Sequence, residues 1–362
     1  MNPKLNPTVS VVKVSDEILE FFFTSIRQQC RIKVQNDLIL NVVTSLDGTR
    51  SIQEIANHFQ IDKCEVEALL EFLEFRGILD NVEPKNDFDN YDLFRRVIHF
   101  LAEYSHSHEH LVSMWNNIKK SSVLIIGLGA VGTWVAANLA ESGVGTLLLM
   151  DADVVEKSNL HRQFGYVEED IGQKKADVLK RRLHALFNDI NVITKYEYLD
   201  DDSLHMFDDF KIDLIINCAD KPTVDKTSLL VGKYAMERGI PHIIGGGYNL
   251  HLSLIGQTVI PGKSACVKCF EKTLEEENKI DHTRVQKLSV KNRKVGSFGP
   301  MCSIIASMVG MEAIKVLSQD INPSNLNRRG EFDIYNMDIK YKKYERRDDC
   351  EWCGKNGLYY HK

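Results

Sequence analysis

The chain has 362 residues, 43% of them hydrophobic and 27% charged, with a formal net charge of −6. That length exceeds one ordinary hydrophobic core and indicates about two domains, and the composition is typical of a globular protein. The negative net charge disfavours a nucleic-acid-binding surface. No apolar run approaches the roughly 18–20 residues that cross a bilayer, and the N-terminus lacks the order of a secretion signal. We therefore expect a cytoplasmic protein that binds neither membrane nor nucleic acid.

The first predicted elements lie in residues 38–80 and form a small winged-helix plan. Ser51 and Glu54 have the spacing of a capping box at the start of one helix. A second helix begins near Asp62, and after Gly77 we expect a short strand. Such a plan suits a DNA-binding domain or a packing domain. Four acidic residues on the second helix disfavour DNA: Glu65, Glu67, Glu71 and Glu74.

The polar segment from Glu83 to Asp92 reads as a linker, and Tyr91 to Lys120 reads as helical. We therefore predict three parts, namely a winged-helix element over residues 1–85, a helical linker over 86–120, and a second domain over 121–362.

The second domain is predicted to alternate strands with helices. The predicted strands are Val123–Ile126, Thr146–Met150, Leu214–Asn217 and His242–Ile244, and the predicted helices are Ala130–Glu141, Asp170–Phe187 and Thr223–Arg238. This alternation is typical of an α/β fold with a Rossmann-like, doubly wound, mostly parallel sheet.

A glycine-rich turn between the first predicted strand and its helix points to a nucleotide. Gly127, Gly129 and Gly132 form G-x-G-x-x-G. The first allows a tight turn, the second lets a phosphate approach the backbone, and the third lets the helix pack on the strand. Asp151 ends the second strand, where an acid binds ribose hydroxyls. NAD and ATP both contain a ribose, so this acid does not separate them.

The residues after Asp151 favour ATP. Polar and cationic side chains follow closely, namely Asn159, Arg162, Gln163, Lys174 and Lys175. Cleavage of ATP at its α-phosphorus builds up charge that fixed cations stabilise, whereas hydride transfer has no such need. A solvated helix face is the alternative for the two lysines. Asp220 follows the third predicted strand, and a carboxylate there is placed to hold Mg²⁺ on the phosphates.

Four of the eight cysteines form two C-x-x-C pairs about eighty residues apart: Cys266, Cys269, Cys350 and Cys353. Four thiolates at this spacing match a closed, structural Zn²⁺ site. The competing interpretation is a redox C-x-x-C, and two such pairs in one chain would be unusual. Cys218 and Cys302 lie in apolar surroundings, so we expect burial rather than catalysis.

Six motifs in order resemble those of the ThiF and ubiquitin-activating family of adenylating enzymes. They are GLGAVG, LMDADVVEKSNLHRQ, GQKKADVL, CAD, CVKC and CEWC. The resemblance implies nucleotide binding by the glycine turn, Asp151, Asp153, Asn159, Arg162, Gln163 and Lys175. Within that set it implies ribose binding by Asp151, phosphate binding by Arg162 and Lys175, and Mg²⁺ binding by Asp220. It also implies the structural zinc.

The family resemblance further implies a homodimer in which an arginine from the partner reaches ATP. The segment FRRVIHF resembles the corresponding stretch, with Arg95 as the better match and Arg96 as the second choice. The usual form of that stretch is missing here, and an ordinary surface arginine is the alternative.

Residues 47–79 resemble the PqqD-like element by which many peptide-modifying enzymes bind a leader peptide through strand addition. Taken together, the two parts of the chain resemble the enzymes that adenylate a short ribosomal precursor peptide during antibiotic maturation. Those enzymes activate the peptide at its C-terminus or at an acidic side chain. The alternative is ThiF-like adenylation of a ubiquitin-fold sulfur carrier. Hydride transfer and a non-catalytic leader-presenting role are weaker alternatives.

A basic stretch near the middle of the second domain contains His282, Arg284 and Arg293. In this fold it would cross the active site and meet a substrate carboxylate, or it would be a solvated loop.

Overall fold

The structure is a computed structural model that describes residues 2–34, 37–245, 247–249, 252–278, 296–297 and 299–360. The chain divides into two compact units, Met1–Asn116 and Asn117–Lys362. The basic stretch with His282, Arg284 and Arg293 lies outside the described residues.

The first unit begins with an antiparallel sheet that the sequence reasoning missed. Its strands are β1 (Val9–Ser15), β2 (Ile18–Phe23) and β3 (Gln28–Lys33), in the order β1-β2-β3. The inner strand β2 supplies the buried Leu19 and Phe21, two residues apart, as the period of a strand requires.

Three helices pack with this sheet around one core, namely α1 (Leu38–Thr44), α2 (Ile52–Phe59) and α3 (Lys63–Phe75). The capping box of Ser51 and Glu54 is confirmed at the start of α2. Asp62 caps α3 by accepting a hydrogen bond from the Cys64 backbone. The strand expected after Gly77 is reduced to a single bridge between Leu5 and Leu79, so the helix–helix–strand plan is only partly present.

Two further helices follow, α4 (Tyr91–Ala102) and α5 (His108–Lys119). They occupy the segment predicted to be helical, with a break at residues 103–107. Phe94 of α4 packs against Trp115 of α5, with ring centroids 5.3 Å apart. Both residues are buried, so the two helices share a core.

The second unit is built on a six-stranded sheet in the order β11-β8-β7-β4-β5-β6. The strands are β4 (Ser122–Ile126), β5 (Thr146–Met150), β6 (Asn191–Lys195), β7 (Leu214–Asn217), β8 (His242–Ile244), and β11 (Gln257–Val259). All neighbours pair in parallel except β11 with β8. This confirms the mostly parallel, Rossmann-like sheet. The order reverses between β4 and β7, and such a reversal is where open α/β sheets bind ligands.

The helices of the sheet are α6 (Ala130–Glu141), α7 (Lys175–Leu186) and α8 (Val224–Arg238). The predicted bounds of α6 are confirmed, and α8 begins one residue after the predicted Thr223, which is its N-cap. The prediction of a helix from Asp170 is wrong by five residues. Gly172 has a φ of 86°, a left-handed conformation that interrupts a right-handed helix. Lys175 therefore occupies the first turn of α7.

A long apolar helix, α10 (Gly299–Ser318), packs against α6. It has 20 residues and a mean hydropathy of 1.5, so it is long and apolar enough to cross a membrane. The sequence-based statement that no run approaches this length is therefore wrong. In the structure 61% of its apolar window is buried, as in the core helix of a globular domain.

A second sheet has the order β13-β12-β10-β9 and is antiparallel throughout. Its strands are β9 (Gly247–Asn249), β10 (Leu252–Ile255), β12 (Arg328–Asp333) and β13 (Asp338–Lys343). The helix α9 (Val267–Asn278) begins beside the first cysteine pair.

Candidate active site

A cavity of about 840 Å³ opens at the carboxyl ends of β4, β5 and β7. It lies where the strand order reverses, as expected for a ligand site in this fold. Many of the predicted site residues line it: Gly127, Gly129, Asp151, Asp153, Asn159, Arg162, Gln163, Lys175 and Asp220. Residues up to 93 positions apart in the sequence are thus brought together at one edge of the sheet.

The glycine turn has no room for side chains at two of its three glycines. Gly127 has a φ of 86°, and a Cβ there would lie 2.8 Å from the backbone of Cys218. A Cβ on Gly132 would lie 1.9 Å from the carbonyl oxygen of Gly127. Gly129 faces open space, since nothing lies within 4 Å of a Cβ built there. The turn is therefore tight on its protein side and open at Gly129.

Asp151 holds the glycine turn in place. One carboxylate oxygen accepts a hydrogen bond from the Leu128 backbone at 2.6 Å, and the other accepts from the Asp153 backbone at 2.7 Å. A carboxylate oxygen has two lone-pair sites, so both oxygens retain the capacity to accept from a ribose hydroxyl. The ribose role itself stays a prediction.

Asp153 gathers two lysines and a tyrosine at the cavity. Its carboxylate accepts hydrogen bonds from Lys175 Nζ at 3.0 Å, Tyr198 Oη at 2.8 Å, and Lys221 Nζ at 3.2 Å. Burial raises the pKa of Asp153, but these hydrogen bonds and the charge on Lys175 outweigh it and hold the pKa at about 2. One carboxylate thus holds two ammonium groups at the cavity, where they are placed to meet a phosphate.

Sequence reasoning missed Lys221 and Tyr198. Lys221 directly follows Asp220, the predicted magnesium ligand, and that position after a strand is a signal by which it could have been found. Tyr198 lies beyond β6 and had no motif. Lys175 is 5% exposed, whereas Lys174 is exposed, so the structure places Lys175 rather than Lys174 in the cavity.

Three polar side chains from the segment after β5 complete the cavity wall. Asn159 is buried, and its Oδ1 accepts from the Glu156 backbone at 3.0 Å. Arg162 Nη1 donates to the carbonyl of Ser158 at 2.6 Å. Arg162 Nε and Gln163 Oε1 are buried without a hydrogen-bond partner among the described residues. Buried polar atoms are nearly always paired, so these two favour a polar ligand in the cavity.

Asp220 is an exposed carboxylate on the cavity rim. A hard oxygen ligand on the cavity rim suits Mg²⁺, which takes one or two carboxylates together with phosphate oxygens. Its role as a magnesium ligand stays a prediction. Arg95 and Arg96 are exposed on α4 of the first unit, and action of either from a second subunit also stays a prediction.

The two C-x-x-C pairs converge in the second unit. All four Sγ atoms lie within 4.8 Å of one another and all four cysteines are buried. Cys266 Sγ is 3.9 Å from Cys269 Sγ and 3.6 Å from Cys350 Sγ. A Zn–S distance of about 2.3 Å spaces the sulfurs of a tetrahedron about 3.8 Å apart. The cluster therefore fits a closed zinc site, in which no position is open to substrate.

The remaining cysteines of the second unit do not have the properties of a thioester nucleophile. Cys302 is fully buried in α10, and burial raises the pKa of its thiol. Cys218 lines the cavity, but burial raises the pKa of its thiol to about 12. A thiol with a raised pKa is a poor nucleophile at neutral pH.

Comparisons with known proteins agree with this geometry. Residues 108–352 match the sequence pattern of the ThiF family. The chain is 28% identical over 247 residues to the adenylyltransferase and sulfurtransferase UBA4 of Vanderwaltozyma polyspora, covering 66% of this chain and 52% of UBA4. It thus spans about half the length of that relative. It is 30% identical over 234 residues to the sulfur carrier protein ThiS adenylyltransferase of Escherichia coli, covering 65% of this chain and 86% of that protein.

The fold also matches solved structures. The crystal structure of E. coli MccB with ATP superimposes with a TM-score of 0.72 at 23% identity, covering 98% of this chain and 100% of that one. The match includes the small N-terminal sheet unit, because nearly the whole chain is covered. From its sequence match and from the cavity at its sheet edge, the chain belongs to the ThiF family.

Proposed function

We propose that this protein is a cytoplasmic, ATP- and Mg²⁺-dependent adenylyltransferase that activates a carboxylate of a ribosomally made precursor peptide during peptide antibiotic maturation. The observation that carries the proposal is the convergence of Lys175, Lys221 and Arg162 on one cavity beside the glycine turn. The family relatives named above are adenylyltransferases, and this cation set suits the charge that adenylation develops.

The reaction needs positioning and charge stabilisation more than acid–base chemistry. The peptide carboxylate attacks the α-phosphorus of ATP in line, the bond to the bridging oxygen breaks, and pyrophosphate leaves with its electron pair. A carboxylate is ionised at neutral pH, so no general base is required. The product is an acyl adenylate.

The cavity residues have separate roles in this proposal. Asp151 binds the ribose, while Arg162 and Lys175 stabilise the phosphates. Asn159 and Gln163 frame the site. Asp220 would hold Mg²⁺, which would neutralise charge on the phosphates. We also propose a homodimer in which Arg95, or else Arg96, reaches the partner's ATP.

The first unit supports a peptide partner. β3 pairs only with β2 among the described strands, so one side of it is an edge able to accept an added strand. Arg76, at the end of α3, donates to Cys30 Sγ of β3 at 3.6 Å and stacks over Phe72 at 5.3 Å. Phe75 is 84% exposed beside them. We propose that the leader peptide pairs with β3 and covers this apolar surface. A solved structure with this fold, that of MccB in complex with N-formylated MccA, supports a peptide partner.

The test is ATP–pyrophosphate exchange with a short peptide encoded beside the gene. Asp220→Ala is expected to abolish exchange and to leave peptide affinity intact, because the carboxylate acts on the phosphates. Asp201→Ala, an exposed aspartate of the same unit outside the cavity, is the matched control. Undiminished exchange in the Asp220 variant would refute the metal role. If no peptide supported exchange by the wild-type chain, the function would be refuted.

A second candidate is adenylation of the C-terminus of a ubiquitin-fold sulfur carrier. It is favoured by the names of the curated relatives, which include the ThiS adenylyltransferase. Exchange driven by a carrier protein ending in Gly-Gly, and unchanged by Phe75→Asp in the first unit, would support this candidate against the peptide.

A further inference from the structure

We propose that a second, smaller pocket receives the side chain of the substrate residue adjacent to the activated carboxylate, and that this side chain is apolar and uncharged. The inference rests on the proposed function and specifies the substrate that it accepts. The pocket has a volume of about 260 Å³ and lies in the second unit. Pockets for drug-sized ligands measure about 300–1,000 Å³, so this one suits a single side chain with its backbone.

The pocket joins the adenylation cavity. Val224 and Gly245 line both. A Cβ on Gly245 would lie 2.1 Å from the Asn217 carbonyl and 3.1 Å from Cys218 Sγ, so Gly245 sits at the end of β7. Its neighbour Cys218 lies two residues before Asp220, the proposed magnesium ligand. A residue bonded to the reacting carboxylate can therefore reach the pocket.

The strand order places the proposed adenosine site and the second pocket on opposite sides of the glycine turn. Asp151, the proposed ribose ligand, follows β5, and the glycine turn follows β4. The second pocket lies on the opposite side, against β8 and β11, through Ile244 and Gln257. ATP would thus run from β5 towards β7, and the acyl substrate would enter from β8. This arrangement lets the carboxylate reach the α-phosphate without crossing the adenosine site.

The walls of the pocket are mainly apolar. They are formed by Val224, Leu229, Ile244, Leu254, Ile255, Val267, Phe270 and Leu274. Burial of an aliphatic side chain among such walls contributes about 1.5–3 kcal/mol. The uncharged polar side chains of the lining are Ser228 and Gln257, so a neutral polar occupant would find few partners to replace its hydration.

One guanidinium and three carboxylates also line the pocket. Arg329 of β12 lies over the Phe270 ring at 4.5 Å, and its side chain makes no hydrogen bond to any described residue. The carboxylates belong to Asp225, Glu271 and Glu275. Because they outnumber the guanidinium, the pocket disfavours an acidic side chain. The five N–H donors remain suited to a backbone carbonyl of the substrate.

Synthetic tripeptides of the form acetyl-Gly-Ala-X, with X as Gly, Leu, Phe or Asp, are the probes in ATP–pyrophosphate exchange with the full chain. We expect kcat/KM for Leu at least about tenfold above that for Gly and Asp, in line with the burial of one aliphatic side chain. Leu274→Trp, which fills the pocket, should remove this preference and leave the ATP Kd unchanged. Leu186→Trp, at an exposed leucine of the same unit, should retain it. Arg329→Met should raise the peptide KM without changing the ATP KM.

A second variant guards against misfolding. Leu274→Ala enlarges the pocket and should shift the preference from Leu towards Phe, while thermal unfolding reports whether either variant is folded. Equal exchange for all X, or an unaltered preference in both Leu274 variants, would overturn the pocket assignment and leave adenylation standing. Exchange with a Gly-Gly carrier but with none of the tripeptides would overturn the peptide function itself, and the pocket assignment with it.

Discussion

The glycine turn allows stability and nucleotide binding to be separated by two neighbouring substitutions. In Gly132→Ala, the new Cβ would lie 1.9 Å from the Gly127 carbonyl oxygen. Non-bonded carbon and oxygen atoms do not approach within about 3 Å, so α6 or the turn must move by about 1 Å. Overpacking of this kind costs about 1–3 kcal/mol. For a domain of this size we expect the unfolding midpoint to fall by about 2–12 °C.

Gly129→Ala is the matched variant. Its φ of −79° is open to alanine, and no atom lies within 4 Å of the added Cβ. Loss of glycine at this helix N-cap changes stability by less than about 1 kcal/mol. The methyl group, however, occupies the open side of the turn where a phosphate approaches the backbone. We expect the ATP Kd to rise at least about tenfold.

Calorimetric unfolding and isothermal titration with ATP measure the two effects separately. We expect Gly132→Ala mainly to lower the midpoint and Gly129→Ala mainly to weaken ATP binding. If Gly129→Ala bound ATP as tightly as the wild-type chain, the glycine turn would not be the phosphate site. If Gly132→Ala left the midpoint unchanged, the steric argument would be wrong.

Three further predictions concern the cations, the cysteine cluster and a buried histidine. Lys175→Ala should lower kcat for exchange by a factor of about 10²–10³, since one fixed donor to the developing charge is lost. Lys174→Ala, at the exposed neighbour, should have little effect. Equal losses in the two variants would contradict the placement of Lys175 rather than Lys174 at the phosphates. Elemental analysis should find one zinc ion per purified chain. Cys353→Ser or prolonged chelation should lower the unfolding midpoint by about 10 °C, because metal binding stabilises the folded state. A metal-free chain with the same midpoint would refute the site. Burial lowers the pKa of His242 to about 4, so between pH 6.5 and 4 the unfolded chain binds a proton that the folded chain does not. The free energy of unfolding, measured by urea titration, should therefore fall by about 2 kcal/mol from pH 7 to pH 5. In His242→Gln this part of the fall should disappear.

Sequence patterns were sufficient for four of the six strands of the large sheet because these four are buried on both faces. β4, β5, β7 and β8 are short, nearly continuous apolar runs, and helices of clear period separate them. The N-terminal sheet was missed for the opposite reason. β1 and β3 are largely exposed and mixed in polarity, so their apolar signal is weak and only β2 contributes two buried side chains.

The residues of the candidate site also differ in how far a sequence pattern could identify them. Gly127, Asp151 and Lys175 belong to motifs whose spacing fixes them on one strand or turn. Lys221 and Tyr198 reach the site by hydrogen bonds to Asp153, which lies 68 and 45 residues away from them in the sequence. Such a contact depends on the order of strands in the sheet, and no local pattern contains that order.

The chemistry of the second unit sets a limit on what can decide the substrate. A peptide carboxylate and the C-terminal carboxylate of a carrier protein are both ionised at neutral pH and would react with the α-phosphorus in the same way. Arg162, Lys175 and Asp220 therefore suit either one equally. Selection must come from contacts beyond the reacting atoms, and the described residues offer two: the edge of β3 in the first unit and the apolar pocket around Arg329 in the second. An extended precursor peptide can use strand pairing at β3 and a side chain in that pocket, whereas a carrier ending in Gly-Gly has no side chain to fill it. The pocket is thus the feature of the second unit that favours the peptide.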